Sequence, residues 1–234
     1  MLFRGPRYAI LQRATAAASA GIGGIDSYTK LMLHCDGADA STTFTDSSSS
    51  ARTASVFGNA QIDTAQSKFG GASGLFDGSG DYITFPASSD FSAGTGDFTV
   101  DFWVRLASSG LNHLVMSMNA SNNFDIFIND ISNIVDVYLA AGRYTFSWSP
   151  SSATWYHLAL ARSGTSLKCF IDGTQIDVTK TSSDNISVTS DTLHIGKDAG
   201  SPTYLNGWID EFRVSIGIAR WTANFTPPTE AYST

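Results

Sequence analysis

The stretch Gly207-Trp208-Ile209-Asp210-Glu211-Phe212-Arg213-Val214-Ser215 constrains the fold of this chain more than any other. Its side chains alternate with period two, which makes it a β-strand with Trp208, Asp210, Phe212 and Val214 on one face and Ile209, Glu211, Arg213 and Ser215 on the other. Asp210 is the exception on an otherwise apolar face. An unpaired buried carboxylate costs several kcal/mol, a large part of a domain's net stability of about 5–15 kcal/mol. Asp210 therefore needs backbone amides or a cation, or the strand is only loosely covered.

The same period recurs along the chain. Phe98, Val100, Phe102, Val104 and Leu106 share one face of segment 97–106, and Thr99, Asp101, Trp103 and Arg105 share the other. Shorter strand-like runs stand at 31–35, 59–62, 74–76, 81–85, 113–118, 124–128, 134–139, 144–148, 155–162, 167–171 and 193–196. Turns rich in Gly, Asn, Asp and Ser separate them, Asp77-Gly78-Ser79-Gly80 and Asp172-Gly173 among them. Charged residues, at 15%, are too few for solvent-facing helices, while 42% hydrophobic residues suffice for a core. The expectation is one all-β domain, a two-sheet antiparallel jelly-roll sandwich.

Residues 1–28 read differently. The net charge of −7 is unevenly spread, with +3 on residues 1–30 and −10 on 31–234. So acidic a body repels nucleic acid and anionic membranes, and no apolar run approaches the roughly 18 residues of a membrane-spanning helix. The leader has the early arginines and later Ala-x-Ala steps of a secretory signal, but Arg13 interrupts its short apolar part. It reads instead as an anchoring arm, with Arg4, Arg7, Tyr8, Ile10, Leu11 and Arg13 as contacts to an acidic partner, such as a neighbouring subunit of a homo-oligomer. Composition alone also accommodates a disordered leader. The sandwich then spans 29–234. Cys35 and Cys169 each share the parity of apolar neighbours, so two reduced core thiols are expected rather than a disulfide.

Five blocks carry a resemblance to a known family. They are Phe69-Gly70 leading to Leu75-Phe76-Asp77-Gly78-Ser79-Gly80-Asp81-Tyr82-Ile83, then Phe98-Thr99-Val100-Asp101-Phe102-Trp103-Val104, then Trp155-Tyr156-His157-Leu158-Ala159-Leu160-Ala161-Arg162, then Phe170-Ile171-Asp172-Gly173, and the strand at 207–214. In this order they resemble the laminin G-like branch of the concanavalin A-like lectin/glucanase superfamily, over about residues 31–225. The openings Leu33-His34-Cys35-Asp36-Gly37-Ala38-Asp39 and Thr42-Thr43-Phe44-Thr45-Asp46, with the tail at 217–228, are similar to the version found in structural proteins of tailed bacteriophages. The resemblance implies a twisted jelly roll with a convex and a concave sheet, displayed on a virion surface.

Glucanases of that superfamily need two carboxylates on one strand face, about 5 Å apart. Asp125 and Asp130 are of opposite parity, and Asp210 and Glu211 are adjacent, so neither pair supplies that geometry. His34, His113, His157 and His194 lie in strand-like runs without a nucleophile-elbow sequence. No catalysis is expected. The resemblance also implies a structural calcium ion held by a carboxylate of the last strand; Asp210 matches that carboxylate, with Asp36, Asp77 and Gly78 to complete an oxygen shell. Equally open is that Asp210 caps loop amides and that Asp77-Gly78 is only a tight turn.

Glycan binding needs aromatic faces with polar groups beside them. Trp103, Tyr138, Tyr144, Trp148, Trp155 and Tyr204 are the aromatic candidates, with Asn122, Asn123, Asn129 and Asp125 as hydrogen-bond partners. Trp148 in Ser147-Trp148-Ser149-Pro150 and Tyr204 after Ser201-Pro202 are the ones expected to be exposed. Two functions follow. The first is a virion structural component, a capsid decoration or tail accessory protein bound to other virion proteins through residues 1–28. The second is an adhesin for host or environmental polysaccharide. A single domain with one basic arm and no shaft favours the first.

Overall fold

The computed structural model of the 234-residue chain describes residues 24–118 and 124–233. The anchoring candidates Arg4, Arg7, Tyr8, Ile10, Leu11 and Arg13, and the glycan candidate Asn123, lie outside the described residues. The strands in chain order are β1 (Thr29–Leu33), β2 (Ser55–Phe57), β3 (Gln61–Asp63), β4 (Ser73–Asp77), β5 (Tyr82–Phe85), β6 (Phe98–Leu106), β7 (Asn112–Met118) and β8 (Phe124–Asn129). They continue with β9 (Ile134–Leu139), β10 (Gly142–Ser147), β11 (Trp155–Ser163), β12 (Ser166–Ile171), β13 (Thr174–Thr181), β14 (Leu193–Ile195) and β15 (Asn206–Ile216). Among the described residues the one helical turn is Ser89–Phe91.

An eight-stranded sheet runs β13-β12-β11-β6-β15-β4-β3, with β1 also paired to β15, and a seven-stranded sheet runs β10-β9-β8-β7-β14-β5-β2. All these strand pairs are antiparallel, as expected for a jelly roll. The core-facing positions of β6 are Phe98, Val100, Phe102, Val104 and Leu106, the set its alternation predicts. Phe102 stacks on Phe212 at 5.6 Å and Phe98 meets Phe124 edge-on at 5.0 Å, so the two sheets share one interior. Cys35 and Cys169 are both free and buried in it.

Two strands escape the sequence pattern. Ser55–Phe57 is a three-residue edge strand, too short to show a period. Thr174–Thr181 is an edge strand open to water on both faces, so its polar residues do not alternate. Its hairpin is nevertheless legible: Asp172 (φ 48°) and Gly173 (φ 74°) both take the left-handed conformations that a two-residue turn demands.

The parity of β15 needs correcting. Asp210 pairs with Trp103 but Arg213 pairs with Asp101, so three steps on β15 match two on β6 and Glu211 is the extra residue of a bulge, at φ 50°. A bulge moves every later side chain to the opposite face. Ile209 therefore faces the core before it and Phe212 and Val214 after it, while Asp210 shares the outer face of the sheet with Trp103, Arg213 and Asp101.

Candidate ligand-binding faces

The middle of the outer face of the eight-stranded sheet is covered by residues 24–28 and 217–233. Ala159 and Ala161 are small enough to admit Trp221, which stacks on Phe225 at 4.2 Å and packs with Phe170 in a second apolar cluster. Arg213 donates from Nε and Nη2 to the two oxygens of Asp101 at 3.0 and 3.2 Å, the Tyr232 hydroxyl donates to Asp101 at 2.5 Å, and the Tyr232 ring lies 3.7 Å from the guanidinium carbon. Burial alone would push the Asp101 carboxyl up; Arg213 and His157 outweigh it and hold it at about 2. Residues 24–28, which the sequence pattern assigns to the arm, belong to this layer: Gly24 bridges Ser233, and Arg220 donates to Asp26 at 2.8 and 3.2 Å and to Thr29 at 3.1 Å.

Trp103 is shut in by the same layer. It is 5% exposed, with Lys68 Nζ 3.8 Å from its ring and Phe69 edge-on at 5.8 Å, so it offers no face to a sugar. Beside it the amides of Lys68 and Phe69 donate to Asp210 Oδ2 at 2.8 and 3.0 Å, while Oδ1 has no partner. Burial pushes the Asp210 carboxyl up to about 7, against the pull of those amides, and Glu211 and Asp36 add to the rise. Asp36 lies against Gly70, where a Cβ would stand 1.8 Å from Asp36 Oδ1 at φ +60°, so a side chain there would displace the carboxylate and strain the backbone. Of the calcium candidates, Asp36 and Asp210 are near enough for their charges to interact. Asp77 and Gly78 lie apart: Asp77 pairs with Asn206, four residues up β15, roughly 13 Å from Asp210 at about 3.3 Å per residue. Among the described residues no group of three or more His, Cys, Asp or Glu gathers as metal ligands, and the orphaned Asp210 Oδ1 beside Asp36 is what fits a cation.

The outer face of the seven-stranded sheet is built otherwise. Its register aligns Arg143 with Tyr138, Tyr138 with Asp125, Ser117 with His194, His194 with Thr84, and Thr84 with Ser55, and Ser117 stands beside Asp125. One polar row thus crosses all seven strands, roughly 29 Å at about 4.8 Å per strand. Asp125 is fully buried at its middle and neither carboxylate oxygen has a well-formed hydrogen bond, although Ser117 and the Met118 amide are near. Burial pushes its carboxyl up to about 7, with Asp198 adding to the rise. The turn after Asp198 roofs this point, with the Ala199 amide on Ser117 Oγ at 3.1 Å. Rings flank both ends of the row. Phe127 meets Tyr138 edge-on at 5.8 Å at one end; at the other, Phe57, 41% exposed, stacks on Tyr82 at 4.4 Å, with Lys197 Nζ 4.9 Å from the Tyr82 centroid.

Of the remaining glycan candidates, Tyr144 takes core parity opposite Val137 and hydrogen-bonds Asp184, so it is turned inward. Trp148 packs its edge on Tyr156 at 5.1 Å against the core and is only partly open. Tyr204 is likewise half-buried and lines a rim cleft beside Asp77, Gly78 and Asn206. The sequence pattern missed Phe57, Tyr82, His194, Lys197 and Asp198; the only hint is that Tyr82 and Thr84 have non-core parity in an otherwise apolar strand. As for paired acids, Asp130 caps the Gly110 and Leu111 amides with both oxygens, and Asp198 accepts from Gly200 N and Ser201 Oγ.

The fold has many relatives. Domain 4 of AbnA, a GH43 extracellular arabinanase from Geobacillus stearothermophilus, in complex with arabinotriose, superposes with a TM-score of 0.62 at 17% identity over 82% of this chain and 93% of that one. The binding domain of Paraclostridial Mosquitocidal Protein 1 gives 0.62 at 16% identity over 82% of this chain and 50% of that one. The ligand-binding domain of botulinum neurotoxin serotype D, in complex with N-acetylneuraminic acid, gives 0.61 at 17% identity over 82% and 48%. The chain thus spans about half the length of the two toxin domains. No curated protein sequence matches it. The laminin G-like sequence pattern of the concanavalin A-like lectin/glucanases superfamily matches residues 77–217, more than half of the chain, from the turn after β4 through β15. With its two antiparallel sheets and that match together, the chain belongs to the concanavalin A-like lectin/glucanase superfamily, in its laminin G-like branch.

Proposed function

We propose that this domain is a non-catalytic recognition module that binds polysaccharide along the outer face of its seven-stranded sheet. One observation carries the reading: residues 24–28 and 217–233 cover the middle of one sheet, while the other presents a polar row across seven strands with the Phe57–Tyr82 stack at one end and Tyr138 with Arg143 at the other. Ser55, Thr84, His194 and Arg143 in that row offer hydrogen-bond partners to sugar hydroxyls, and rings cover C–H faces. The arabinotriose and N-acetylneuraminic acid complexes of two fold relatives support this class of ligand. A glycan array probed with wild type, Phe57→Ala and Tyr82→Ala tests it. Binding by wild type, weakened in both variants, is expected; a wild type that binds nothing, or variants that bind as well, would refute it.

The setting we propose is a virion surface, where the domain serves as capsid decoration or tail accessory component anchored through residues 1–28. The similarity of residues 33–39 and 217–228 to phage structural proteins supports it. Removing residues 1–23, which spares the Asp26–Arg220 pair, should abolish incorporation into particles and leave the melting temperature unchanged. Full incorporation of the truncated chain would end the anchoring role. A structural calcium ion would be held by Asp210 and Asp36, where it would neutralise the orphaned oxygen. Its loss to EDTA should lower the melting temperature, since a ligand of the folded state alone stabilises it; an unchanged melt excludes it.

A further inference from the structure

At the rim of the sandwich, Tyr204, Leu111, Asp77, Asn112 and Asn206 line a cleft of about 300 Å³. We infer that this cleft is a second saccharide site, separate from the sheet face, selective for neutral or amino sugars over acidic ones. The inference rests on the lectin-like reading of the domain but not on the sheet-face site. Its walls combine what a sugar needs. The Tyr204 ring and the 40% exposed Leu111 side chain offer apolar surface for C–H faces, and a carboxylate with two amides offers hydroxyl partners. The volume sits at the lower end of small-molecule sites, about 300–1,000 Å³, room for one or two rings.

The cleft is also held in shape before any ligand arrives, which lowers the cost of binding. Tyr204 is bridged to Lys197, and the Asp198 amide donates to Thr203 O at 3.0 Å. Gly78, at φ +85°, brings its turn so close that a Cβ there would lie 2.9 Å from Asn206 Cβ. Asn206 is fixed in turn by its amide donating to His113 Nδ1 and its Nδ2 donating to Ser108 Oγ, which leaves its side-chain oxygen as an acceptor. Asp130 holds the Leu111 loop by accepting from the amides of Gly110 and Leu111.

Charge decides the selectivity. Among the described residues no Lys, Arg or His lines the cleft, and its one acidic wall group is Asp77. Asp81 lies behind Asp77 and Asp130 beneath the Leu111 loop, so a carboxylate-bearing sugar meets like charge and no counter-ion. The loop 197–204 joins the two sites, for Ala199 roofs Ser117 on the sheet face while Tyr204 stands in the cleft. A polysaccharide long enough to reach both gains avidity without any new contact.

The test is an NMR titration of the isotopically labelled full chain with methyl β-D-glucosaminide and, separately, N-acetylneuraminic acid, each to roughly 10 mM, enough to detect a Kd of about 1 mM. The glucosaminide should shift the amides of Asp77, Gly78, Asn112, Tyr204 and Asn206, and N-acetylneuraminic acid should not. Tyr204→Ala should weaken the glucosaminide at least tenfold, and Phe57→Ala should leave these shifts as they are. Leu111→Lys, a change at an exposed side chain that the fold tolerates, should weaken the glucosaminide and admit N-acetylneuraminic acid. No shift at the cleft, an equal response to both sugars, or shifts unaffected by Tyr204→Ala and Leu111→Lys would overturn the inference. Loss of array binding in Phe57→Ala with the cleft shifts retained bears on the sheet face alone.

Discussion

Replacing Asp210 by asparagine should make this protein more stable above neutral pH and flatten its pH dependence. The carboxyl is pushed up to about 7 by burial, with Oδ2 on the amides of Lys68 and Phe69 and Oδ1 without a partner. In the unfolded chain it titrates near 3.9. Between those values the native state holds a proton that the unfolded state has released, so stability falls as pH rises from about 4 to 7 and levels off above. Roughly three pH units at 1.36 kcal/mol each give about 4 kcal/mol, and at about 2–4 °C per kcal/mol that is on the order of 10 °C in melting temperature. Asparagine keeps an oxygen for the two amides and cannot ionise. Thermal and urea unfolding in EDTA at pH 5, 6.5 and 8 should show wild type losing stability over this range, Asp210→Asn losing about half as much, and the two curves crossing. Asp125, raised to about 7 for the same reason, adds a similar slope, so Asp125→Asn with Asp210→Asn should be flatter than either single variant. An unchanged slope, or an Asp210→Asn variant less stable than wild type at pH 8, would mean that the buried carboxylate is charged and satisfied, and the reasoning would fail.

The layer that closes the eight-stranded sheet yields further expectations. Tyr232→Phe removes a donor to buried Asp101 and should cost about 1–3 kcal/mol, and Arg213→Met should cost about 3–5 kcal/mol; urea midpoints that hardly move would contradict the network. Because Asp101 sits at about 2 when folded, its contribution is present above about 3.9 and is lost as pH falls towards 2, which sets the acid limit of the stability profile. Glu211→Gln should lower the His34 pKa, which its bond to Glu211 raises, in an NMR titration. The stability that pair provides is complete below about 6.5 and lost as pH rises through the folded value, so variant and wild type should converge in alkali. Gly173→Ala puts a Cβ 1.9 Å from Phe225 O at φ +74° and should cost on the order of 2 kcal/mol or more by lifting the 217–233 segment; an unchanged melt would show that the segment does not depend on this turn.

The alternation of 97–106 and the turn Asp172-Gly173 are written in the sequence, because a strand's period and a turn's backbone angles depend on neighbouring residues alone. With the five motif blocks they suffice for an all-β sandwich of this superfamily and for two reduced core cysteines. Asp210 is legible as an anomaly but not as an outer-face residue, because the bulge at Glu211 breaks the period on which its assignment rests. Trp103 has the parity of a surface aromatic, and only the return of residues 217–233 with the loop at Lys68 and Phe69 covers it. The polar row on the seven-stranded sheet draws on seven separate strands, from Ser55 to His194, and the rim cleft joins Asp77, Leu111 and Tyr204 from three distant segments. A local pattern tells a side chain which way to point; which distant strand lies beside it, in what register, and what covers it are settled only when the whole chain packs.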